Sequence, residues 1–467
     1  MKKNPIACVI LAAGKGVRMK SDAPKVLHCV GGKPMLVHPL MRARELGPER
    51  IVVVLGKGAD EVRAILGKGV KTVIQEKQLG TGHAVMCARS ALKGFRGTAL
   101  ILYGDTPLLA TESLRAMLKA HNKAGVPLTI LTARFTWPNR LGRVIRGENG
   151  RVLRVIEAAD ASKEEMEIEE VNAGIYAAQS DFLFKALDRV KADNAQGEYY
   201  LTDVIEIAAK GGGVAAFTAP DPEEVLGIND RVELAQAERA MNNRTLLRLM
   251  RDGVTVIAPE ATIVNDGVRV GAETIIYPGA VIEGGAIIGK RCLIGPGAFI
   301  RDSQVGDDVE IRAHSVMEGS KVGDRSTVGP SAHLRPESVI GADCRIGNFV
   351  ETKKVTIGNG TKASHLTYLG DAEIGRNVNI GCGTITCNYD GTAKHKTIIE
   401  DDVFVGSDTQ LVAPVRVGKG AYIGSGSTIT RDVPAGALSV ARARQRDMPG
   451  WGERMRKKAE AAGKKKK

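Results

Sequence analysis

The chain has 467 residues, enough for roughly two to four domains, and its 43% hydrophobic content is ample for buried cores. No run of about 18 uncharged apolar residues is present, and the apolar stretch Ile6–Leu11 is too short for a secretory signal. Seven cysteines without a C-x-x-C pair indicate neither a disulfide framework nor a zinc site. We therefore expect a cytoplasmic protein with no membrane partner.

The net charge of +13 is concentrated at one end of the chain. Residues 442–467 contain eleven Lys or Arg and three Asp or Glu, a net charge of +8, so residues 1–441 carry only about +5. Basic runs of this kind are typical of solvated tails, and we expect this one to be disordered toward its end. A location near an anionic ligand is the second interpretation of the tail, and no nucleic-acid partner is expected.

Short apolar segments and segments of helical periodicity alternate in the first 225 residues. The predicted strands are 6–11, 51–55, 72–74 and 98–103, and the predicted helices are 35–46, 81–92 and 112–124. This alternation predicts a parallel sheet covered by helices. Residues 144–157, with Asn149-Gly150 in the middle, predict a β-hairpin that forms a flap over the edge of the sheet.

A long amphipathic helix is predicted from Asp230 to Arg251, with Asn229 or Asp230 as its cap and Gly253 at its end. After Gly253 the helical periodicity disappears, and fourteen pairs of Val or Ile followed by Gly recur. Their spacings are multiples of six, or lie one residue above or below such a multiple. This period is the signature of a hexapeptide β-helix, in which each six-residue stretch forms one face of a triangular coil.

The repeat is least regular between Ile346 and Val405, where spacings of 11, 17 and 25 residues occur. Reactive side chains are concentrated in the same stretch, among them His365. Acetyl transfer to an amine needs a base, and His can serve near neutral pH. Arg335 and Lys353 supply two cations that suit a sugar phosphate. We therefore interpret the irregular coils as an active site and the regular coils as its support.

A Gly-rich turn, 11–16, follows the first predicted strand, and Pro24-Lys25 follows the turn. Backbone N–H groups of such a turn approach phosphate closely, and a Lys beyond it meets a triphosphate's charge. Asp105 comes directly after a predicted strand, where open α/β sheets bind ligands, and a carboxylate suits Mg²⁺.

These segments resemble the sugar-phosphate nucleotidyltransferases, with Val17 where that family usually has Thr. The resemblance implies that Gln75 and the Gly80-Thr81 backbone read a pyrimidine base and that Asp105 and Asn229 hold Mg²⁺. The nucleotide- and sugar-binding residues that it implies are Leu11, Ala12, Ala13, Gly14, Lys25, Gln75, Gly80, Thr81, Tyr103, Gly104, Asp105, Gly142, Glu157, Asn172 and Asn229.

Residues 6–451 as a whole resemble the bifunctional bacterial N-acetylglucosamine-1-phosphate uridylyltransferase/glucosamine-1-phosphate N-acetyltransferase family. Its most specific strips are 364–371, with Ser364 in place of a Gly, and 384–391. The resemblance implies that His365 is the base. It also implies Arg335, Lys353, Tyr368 and Asn379 for sugar phosphate, and Cys382, Asn388, Tyr389, Ser407, Ser425 and Arg442 for acetyl-CoA. The family commonly has Ala at positions 382 and 425, where its contacts are largely through the backbone, and the N–H of Cys382 would bind the thioester oxygen.

The implied fold is an α/β Rossmann-like nucleotidyltransferase domain followed by a left-handed parallel β-helix. The implied segments are a uridylyltransferase domain (1–228), a linker helix (229–253), an acetyltransferase domain (254–441) and the basic tail (442–467). Glucosamine 1-phosphate would first be acetylated from acetyl-CoA, and N-acetylglucosamine 1-phosphate would then react with UTP in the presence of Mg²⁺. The product is UDP-N-acetylglucosamine, a precursor of peptidoglycan and lipopolysaccharide, and the family's relatives imply a homotrimer.

Two alternative functions remain to be tested by experiment. One is a nucleotidyltransferase whose β-helix is a non-catalytic scaffold, against which His365 and the Arg335–Lys353 pair argue. The other is a nucleotide sensor on a structural β-helix, against which Lys25 and Asp105 argue. The residues themselves fit uridine and thymidine equally, and only the family resemblance favours UTP.

Overall fold

The structure, a computed structural model, describes residues 4–136 and 139–463. It forms two units. The first contains the residues up to Arg248 together with Val264–Asp266, and the second contains Leu249–Ile263 and the residues from Gly267 onward. The division of activities among these segments remains a proposal.

The first unit alternates strands and helices as predicted. Its strands are β1 (Ile6–Ala12), β2 (Cys29–Val30), β3 (Lys33–Pro34), β4 (Arg50–Leu55), β5 (Val70–Ile74), β6 (Thr98–Tyr103), β7 (Leu128–Arg134), β8 (Arg143–Arg146), β9 (Val152–Ile156), β10 (Glu170–Gln179) and β11 (Val214–Thr218). Its helices are α1 (Val37–Glu45), α2 (Ala59–Leu66), α3 (Thr81–Cys87), α4 (Thr111–Ala124), α5 (Lys163–Met166), α6 (Ser180–Leu187), α7 (Asp203–Gly211) and α8 (Arg231–Arg251), whose last turn belongs to the second unit.

The main sheet has the strand order β11-β7-β10-β6-β1-β4-β5, and all its neighbours are parallel except β10. Both faces are covered. Ile10 and Leu102 contribute to the core on one face, whereas Val9 and Ile101 contribute to the core on the other. Because β1, β4, β5 and β6 run in the same direction, the segments after them meet at one edge of the sheet.

The predicted hairpin is confirmed: β8 and β9 pair antiparallel, and β8 also pairs with β10. Arg146 on β8 donates two hydrogen bonds of 2.7 Å to the carboxylate of Glu170 on β10. Burial alone would raise the pKa of Glu170, but the hydrogen bonds and charge of Arg146, together with Thr132 and Arg134, outweigh it and lower the pKa. This bidentate pair therefore fastens the hairpin to the sheet.

The cap of α8 is Asp230 rather than Asn229. The Asp230 Oδ1 accepts the N–H groups of Val232 and Glu233, both at 2.9 Å. Glu233 in turn accepts the backbone N–H of Asn229 at 2.6 Å. Because the cap is supplied by its neighbour, the Asn229 side-chain oxygen is left for another partner.

The second unit is a continuous ladder of short parallel strands. They are β12 (Thr255–Val256), β13 (Ile263–Val264), β14 (Arg269–Val270), β15 (Ile275–Ile276), β16 (Val281–Glu283), β17 (Ile287–Ile288), β18 (Leu293–Ile294), β19 (Phe299–Arg301), β20 (Gln304–Val305), β21 (Glu310–Ile311), β22 (Val316–Glu318), β23 (Lys321–Val322), β24 (Thr327–Val328), β25 (His333–Leu334), β26 (Ser338–Ile340), β27 (Arg345–Ile357), β28 (Lys362–Ile374), β29 (Asn379–Ile380), β30 (Ile385–Cys387), β31 (Thr397–Ile399), β32 (Phe404–Val405), β33 (Gln410–Val412), β34 (Val415–Val417), β35 (Tyr422–Ile423), β36 (Thr428–Ile429) and β37 (Leu438–Ser439).

Most strands pair with the third strand along the chain, so three strands complete one coil. Aliphatic residues of successive coils stack in register, as in the buried series Ile276, Ile294, Ile311 and Val328. This is the inward column that the hexapeptide period predicts. The strands β27 and β28 are exceptional, because each has 13 residues and they pair with one another along their length.

One corner of the coils carries an alternating ladder of charges. Arg291 forms a bidentate pair with Asp308 one coil away, at 2.7 Å for both bonds. Arg325 forms the same pair with Asp343, at 2.8 Å for both bonds. Arg325 is in register with Asp308 as well, because β21 and β24 pair from Glu310 to Thr327. Positive and negative side chains therefore alternate along this corner.

The basic tail contains an exposed helix, α9 (Trp451–Gly463), which the sequence-based prediction did not include. The disorder predicted for the end of the tail falls on 464–467, outside the described residues. Within 4–136 and 139–463, no helix combines the length and apolar character that crossing a membrane requires. All seven cysteines are unpaired.

We predict that Glu170→Gln lowers the free energy of unfolding of the first unit by about 2 kcal/mol, because it removes a charged, largely buried acceptor from Arg146. The pKa of Glu170 is depressed in the folded state, so its contribution is present above the unfolded-state pKa and is lost as the pH falls through the folded-state pKa. Urea unfolding at pH 7 and at pH 3 measures both effects.

The exposed pair of Glu206 and Lys210, at 2.5 Å, supplies the control. Glu206→Gln should change the free energy of unfolding by less than about 0.5 kcal/mol. Equal effects of the two substitutions would contradict a structural role for the Arg146–Glu170 pair.

Candidate active sites

A cavity of about 370 Å³ opens at the edge of the sheet where the segments after β1, β5 and β6 meet. It contains most of the nucleotide-binding residues named from the sequence. The predicted residues that line it are Leu11, Ala12, Ala13, Gly14, Lys25, Gln75, Gly80, Thr81, Tyr103 and Asp105. Parallel strands thus bring together residues that are almost 100 positions apart in the chain.

Lys25 lies between the two residues predicted to hold Mg²⁺. Its Nζ donates to Asp105 Oδ2 at 2.5 Å and to Asn229 Oδ1 at 3.3 Å. Asn229 reaches this position because Ile228 donates its backbone N–H to the carbonyl of Asp105 at 3.0 Å. One carboxylate oxygen and one amide oxygen therefore converge on a single cation.

The predicted base-reading residues lie on one wall of the cavity. Gln75 is only 3% exposed, and its Nε2 donates to the carbonyl of Gly80 at 3.1 Å. The same nitrogen lies 3.0 Å from His83 Nδ1. This wall is held in place by the backbone of Tyr199. Its carbonyl accepts the N–H of Gly82 at 2.8 Å, and its N–H donates to the carbonyl of Leu79 at 2.8 Å.

The predicted sugar-binding residues form a buried group next to Tyr103. Burial raises the pKa of Glu157, whose carboxylate accepts a hydrogen bond of 3.1 Å from Thr202. Gly142 accepts the N–H of Asn172 at 2.8 Å. The Asn172 side-chain nitrogen donates to Tyr176 at 2.6 Å, whereas its Oδ1 is buried without a hydrogen-bond partner among the described residues. An unpaired buried acceptor of this kind suits a ligand hydroxyl or N–H.

Two residues singled out from the sequence, Gly104 and Val17, lie outside the lining of the cavity. Gly104 does not line the cavity but donates its N–H to Leu11 at 2.8 Å and so holds the turn after β6 against β1. Val17 is 77% exposed and does not line the cavity either. Five further lining residues were not named individually from the sequence, although Lys15 belongs to the predicted turn 11–16: Lys15, Val26, Gln78, Ala84 and Glu198. Gln78 lies between Gln75 and Gly80, which were both predicted to read the base, and this position in the sequence was the signal that could have found it.

A larger, shallower cleft of about 700 Å³ lies between α3 and α6. Its rim residues Arg89, Lys93 and Arg96 are exposed. Arg89 is already paired with Asp188 at 2.5 Å. Because the smaller cavity combines buried polar groups with the converging Lys25, Asp105 and Asn229, it is the candidate active site of the first unit.

In the second unit, His365 heads a column of residues on successive coils. The register Ala363, Ile380, Val405 and Ile423 carries over to the residues two positions later, which are His365, Cys382, Ser407 and Ser425. Neighbouring members are therefore about 4.8 Å apart along the ladder. His365, Ser407 and Ser425 are exposed, and the N–H groups of Cys382, Ser407 and Ser425 have no acceptor in the described part of the chain.

A cluster of cations lies on a different stretch of the same coils. Lys353 is in register with Gly370, and Arg335 lies one coil before it, donating its N–H to Thr352 at 2.9 Å. The positive charges of Lys394 and Arg335 lower the pKa of Lys353. Mutual repulsion of this kind favours an anionic ligand at the cluster.

Lys394 was not predicted, and it belongs to the segment that causes the 25-residue spacing. This segment leaves the coil after β30 and returns before β31, with a bridge between Tyr389 and Lys394. The extra length was the sequence signal that could have drawn attention to it. At its start Asn388 is buried and donates to Asp371 at 2.5 Å, and Asp371 was likewise not predicted.

The remaining predicted residues are dispersed. Tyr368 lies against Gly370, Asn379 is exposed in register with Phe404, and Tyr389 is 61% exposed. Arg442 is exposed and packs near Gly426. The described contacts within one chain do not join the His365 column to the cation cluster. The structure thus assembles two separate groups of residues, the cation cluster and the His365 column.

We predict that Gly174→Ala destabilises the first unit by about 2–4 kcal/mol. Gly174 has φ = 75°, and an added Cβ would lie 2.7 Å from the Tyr103 ring. Gly125→Ala is the matched control, since its φ is 66° but no atom lies within 4 Å of an added Cβ. Urea unfolding should show a smaller loss for Gly125→Ala, and equal losses would contradict close packing of Tyr103 on Gly174.

Comparison with protein-family models finds three matches. A MobA-like NTP transferase domain matches residues 8–181. A GMPPB C-terminal domain matches residues 263–357, and a bacterial transferase hexapeptide model with six repeats matches residues 396–431. These matches confirm the predicted fold class, an α/β nucleotidyltransferase domain followed by a left-handed parallel β-helix of hexapeptide repeats.

Curated relatives extend the similarity to nearly the whole chain. The bifunctional protein GlmU of Trichlorobacter lovleyi is 52% identical over 448 residues, which are 95% of this chain and 97% of the relative. GlmU of Geobacter sulfurreducens is 52% identical over 471 residues, covering 97% and 99% of the two chains. GlmU of Exiguobacterium sibiricum is 50% identical over 444 residues, covering 95% and 99%. The chain belongs to the family of bifunctional GlmU transferases, which confirms the family predicted from the sequence.

Proposed function

We propose that this bifunctional transferase makes UDP-N-acetylglucosamine in two reactions, one in each unit. The second unit acetylates glucosamine 1-phosphate with acetyl-CoA, and the first unit then joins N-acetylglucosamine 1-phosphate to UTP with release of pyrophosphate. The observation that carries the proposal is the presence of two separate constellations on one chain. One is the cavity around Lys25 and Asp105, and the other is the His365 column with its neighbouring cations.

In the first unit the substrate itself is the nucleophile. A phosphate oxygen of the sugar phosphate attacks the α-phosphorus of UTP, and the bond to the bridging oxygen breaks so that pyrophosphate leaves. The protein's task is alignment and charge neutralisation, which are the main sources of catalysis in phosphoryl transfer. The turn 11–16 offers backbone N–H groups to the triphosphate, and Lys25 adds a positive charge in the same cavity.

The residues at Lys25 fit a magnesium ion. Asp105 and Asn229 offer one carboxylate and one amide oxygen that already converge on the Lys25 ammonium. Mg²⁺ prefers few protein oxygens combined with phosphate oxygens and water, so Asp105 and Asn229 would hold it. When bound, the ion neutralises negative charge that develops on the phosphates. Lys25 would then be free to pair with the triphosphate instead of with Asp105.

The buried group next to Tyr103 is proposed to bind the N-acetylglucosamine ring. Glu157 and the unpaired Oδ1 of Asn172 are acceptors for sugar hydroxyls or the acetamido N–H. The Gly142 position leaves no room for a larger residue, since an added Cβ would lie 2.8 Å from Val155. The flap formed by β8 and β9 ends at these residues, so its attachment through Arg146 and Glu170 supports the sugar site.

In the second unit His365 is proposed as the general base. It removes a proton from the amino group of glucosamine 1-phosphate, whose nitrogen attacks the thioester carbonyl, and the carbon–sulfur bond breaks as CoA leaves. The N–H of Cys382 lies one coil below His365 and suits the oxyanion that forms at the carbonyl. Ser407, Ser425 and Arg442 continue in the same direction and would contact the coenzyme.

The cation cluster is proposed to hold the sugar phosphate. Arg335, Lys353 and Lys394 combine three positive charges, of which Arg335 is partly neutralised by Glu351 at 2.7 Å. Tyr368, Asn379, Asn388 and Tyr389 complete the proposed acetyltransferase residues. His365 and Ser407 are exposed on a single chain. We propose that the chain forms a homotrimer in which neighbouring copies cover these side chains and bind the coenzyme between them. We place the enzyme in the cytoplasm.

We predict that His365→Ala and Asp105→Ala abolish different activities. His365→Ala should lower CoA release from acetyl-CoA and glucosamine 1-phosphate by about 10²–10⁴-fold, because it removes the base, and leave pyrophosphate release from UTP intact. Asp105→Ala, or chelation of Mg²⁺, should do the reverse. His333→Ala, on a regular coil, is the control and should change neither rate.

Loss of both activities from either single substitution, in a folded protein, would contradict two separate sites. Acetyl transfer that survives His365→Ala would exclude His365 as the base. If the wild-type chain releases pyrophosphate from UTP but never releases CoA, the β-helix is the non-catalytic scaffold of the alternative interpretation.

We predict that Lys353→Ala raises the KM for glucosamine 1-phosphate by about 10–100-fold, because it removes a charged donor to phosphate. The KM for acetyl-CoA should change much less. Lys354→Ala is the matched control, since Lys354 is exposed and pairs with Glu337 at 3.5 Å. Equal shifts in both variants would show a general effect of charge and contradict a specific phosphate site.

A further inference from the structure

We propose that His83 is a positioning residue for base recognition. It holds the Gln75 amide in the one orientation that accepts a hydrogen bond from the N3–H of uracil or thymine and rejects cytosine. This inference rests on the proposed uridylyltransferase function and concerns the same cavity. His83 lies on α3 and was not among the predicted site residues.

The orientation of the Gln75 amide follows from its two neighbours. The atom 3.1 Å from the Gly80 carbonyl oxygen must be the amide nitrogen, because that oxygen only accepts hydrogen bonds. The same nitrogen lies 3.0 Å from His83 Nδ1, which must therefore accept, so the imidazole proton is on Nε2. Both N–H bonds of the amide are thus used within the protein.

The pattern left for a ligand is one acceptor beside two donors. Gln75 Oε1 makes no hydrogen bond to the described residues and belongs to a side chain that lines the cavity. The backbone N–H groups of Gly80 and Thr81 likewise have no acceptor in that part of the chain. Uracil and thymine carry an N–H between two carbonyl oxygens, which complements this pattern, whereas N3 of cytosine is an acceptor.

His83 makes this pattern selective because Gln75 is almost fully buried. If the amide turned over, its oxygen would face the Gly80 carbonyl and the His83 acceptor, and two N–H groups would lose their partners. Without the His83 acceptor, one amide N–H is unpaired even in the original orientation. The turned amide, which donates to cytosine N3, then becomes less unfavourable relative to the original one.

The experiment compares UTP and CTP as substrates of the full-length enzyme with Mg²⁺ and N-acetylglucosamine 1-phosphate. His83→Phe keeps an aromatic ring near Tyr199, whose ring centre is 6.4 Å from that of His83, but removes the acceptor. The ratio of kcat/KM for UTP to that for CTP should fall about tenfold, because the hydrogen bond to His83 no longer favours the original orientation of the Gln75 amide over the turned one. His83→Asn places an oxygen near the position of Nδ1 and should restore most of the ratio.

The outcomes separate the two proposals. A wild-type enzyme that uses neither nucleotide would overturn the uridylyltransferase function. A wild-type enzyme that prefers UTP, combined with an unchanged ratio in folded His83→Phe, would overturn the role of His83 alone. A fall that His83→Asn does not restore, with both variants equally folded, would also overturn it, because a lost acceptor would not be the cause.

A measurement on the wild-type protein keeps the inference testable if His83→Phe fails to fold. Nitrogen-15 NMR of histidine-labelled enzyme with bound UTP should show His83 as the neutral tautomer protonated at Nε2, with Nδ1 as a hydrogen-bond acceptor. The His83 signal is identified as the one that is missing from the spectrum of the His83→Gln variant. A proton on Nδ1 in that complex would contradict the proposal.

Discussion

Parallel, in-register strand pairing is the constraint on which both proposed active sites depend. In the first unit it makes β1, β5 and β6 end at one edge, so that the turn 11–16, Gln75 and Asp105 line a single cavity. In the second unit it stacks equivalent positions of successive coils, so that His365 and Cys382 become neighbours. Neither arrangement needs residues that are close in the sequence, because the backbone register alone brings them together.

The two sites prepare for anionic ligands in opposite ways. In the first unit the Lys25 charge is already matched by Asp105, so a cation and its oxygen partners are arranged before any substrate arrives. In the second unit Lys353 faces the like charges of Lys394 and Arg335, which the carboxylate of Asp371 near Lys353 and that of Glu351 on Arg335 offset only in part. In the proposed reactions, an arriving phosphate would exchange partners in the first case, whereas in the second it would relieve repulsion between side chains.

Several parts of the fold follow from local sequence and several do not. The strands at 6–11 and 98–103 are predictable because apolar runs of that length bury well, and the coils are predictable because their period can be counted. The order of the strands is set by long-range pairing and has no local signal. Helix α9 was not predicted, because its Lys and Arg residues indicate a solvated tail although they are also good helix formers.

In the candidate sites too, some residues are predictable from local sequence, whereas the contacts between them are not. Lys25, Asp105 and His365 stand out by motif, but the contact between Lys25 and Asn229 spans more than 200 residues and depends on how α8 begins. Lys394 was not predicted, because the segment that carries it lies outside the six-residue repeat. The assignment of donor and acceptor on Gln75 is also beyond sequence patterns, since it depends on the positions of Gly80 and His83.

The alternating charges at the corner of the coils also bear on how a repetitive chain finds its correct stacking. The regular coils before β27 have nearly the same shape and a similar aliphatic interior, so a chain that skipped one of them would still bury its core. Such a slip would bring Arg291 against Arg325 and Asp308 against Asp343, replacing each bidentate pair with a like-charge contact. Exposed pairs of this kind contribute little to stability. Their alternation nevertheless lets an otherwise uniform solenoid distinguish neighbouring coils from more distant ones while it folds.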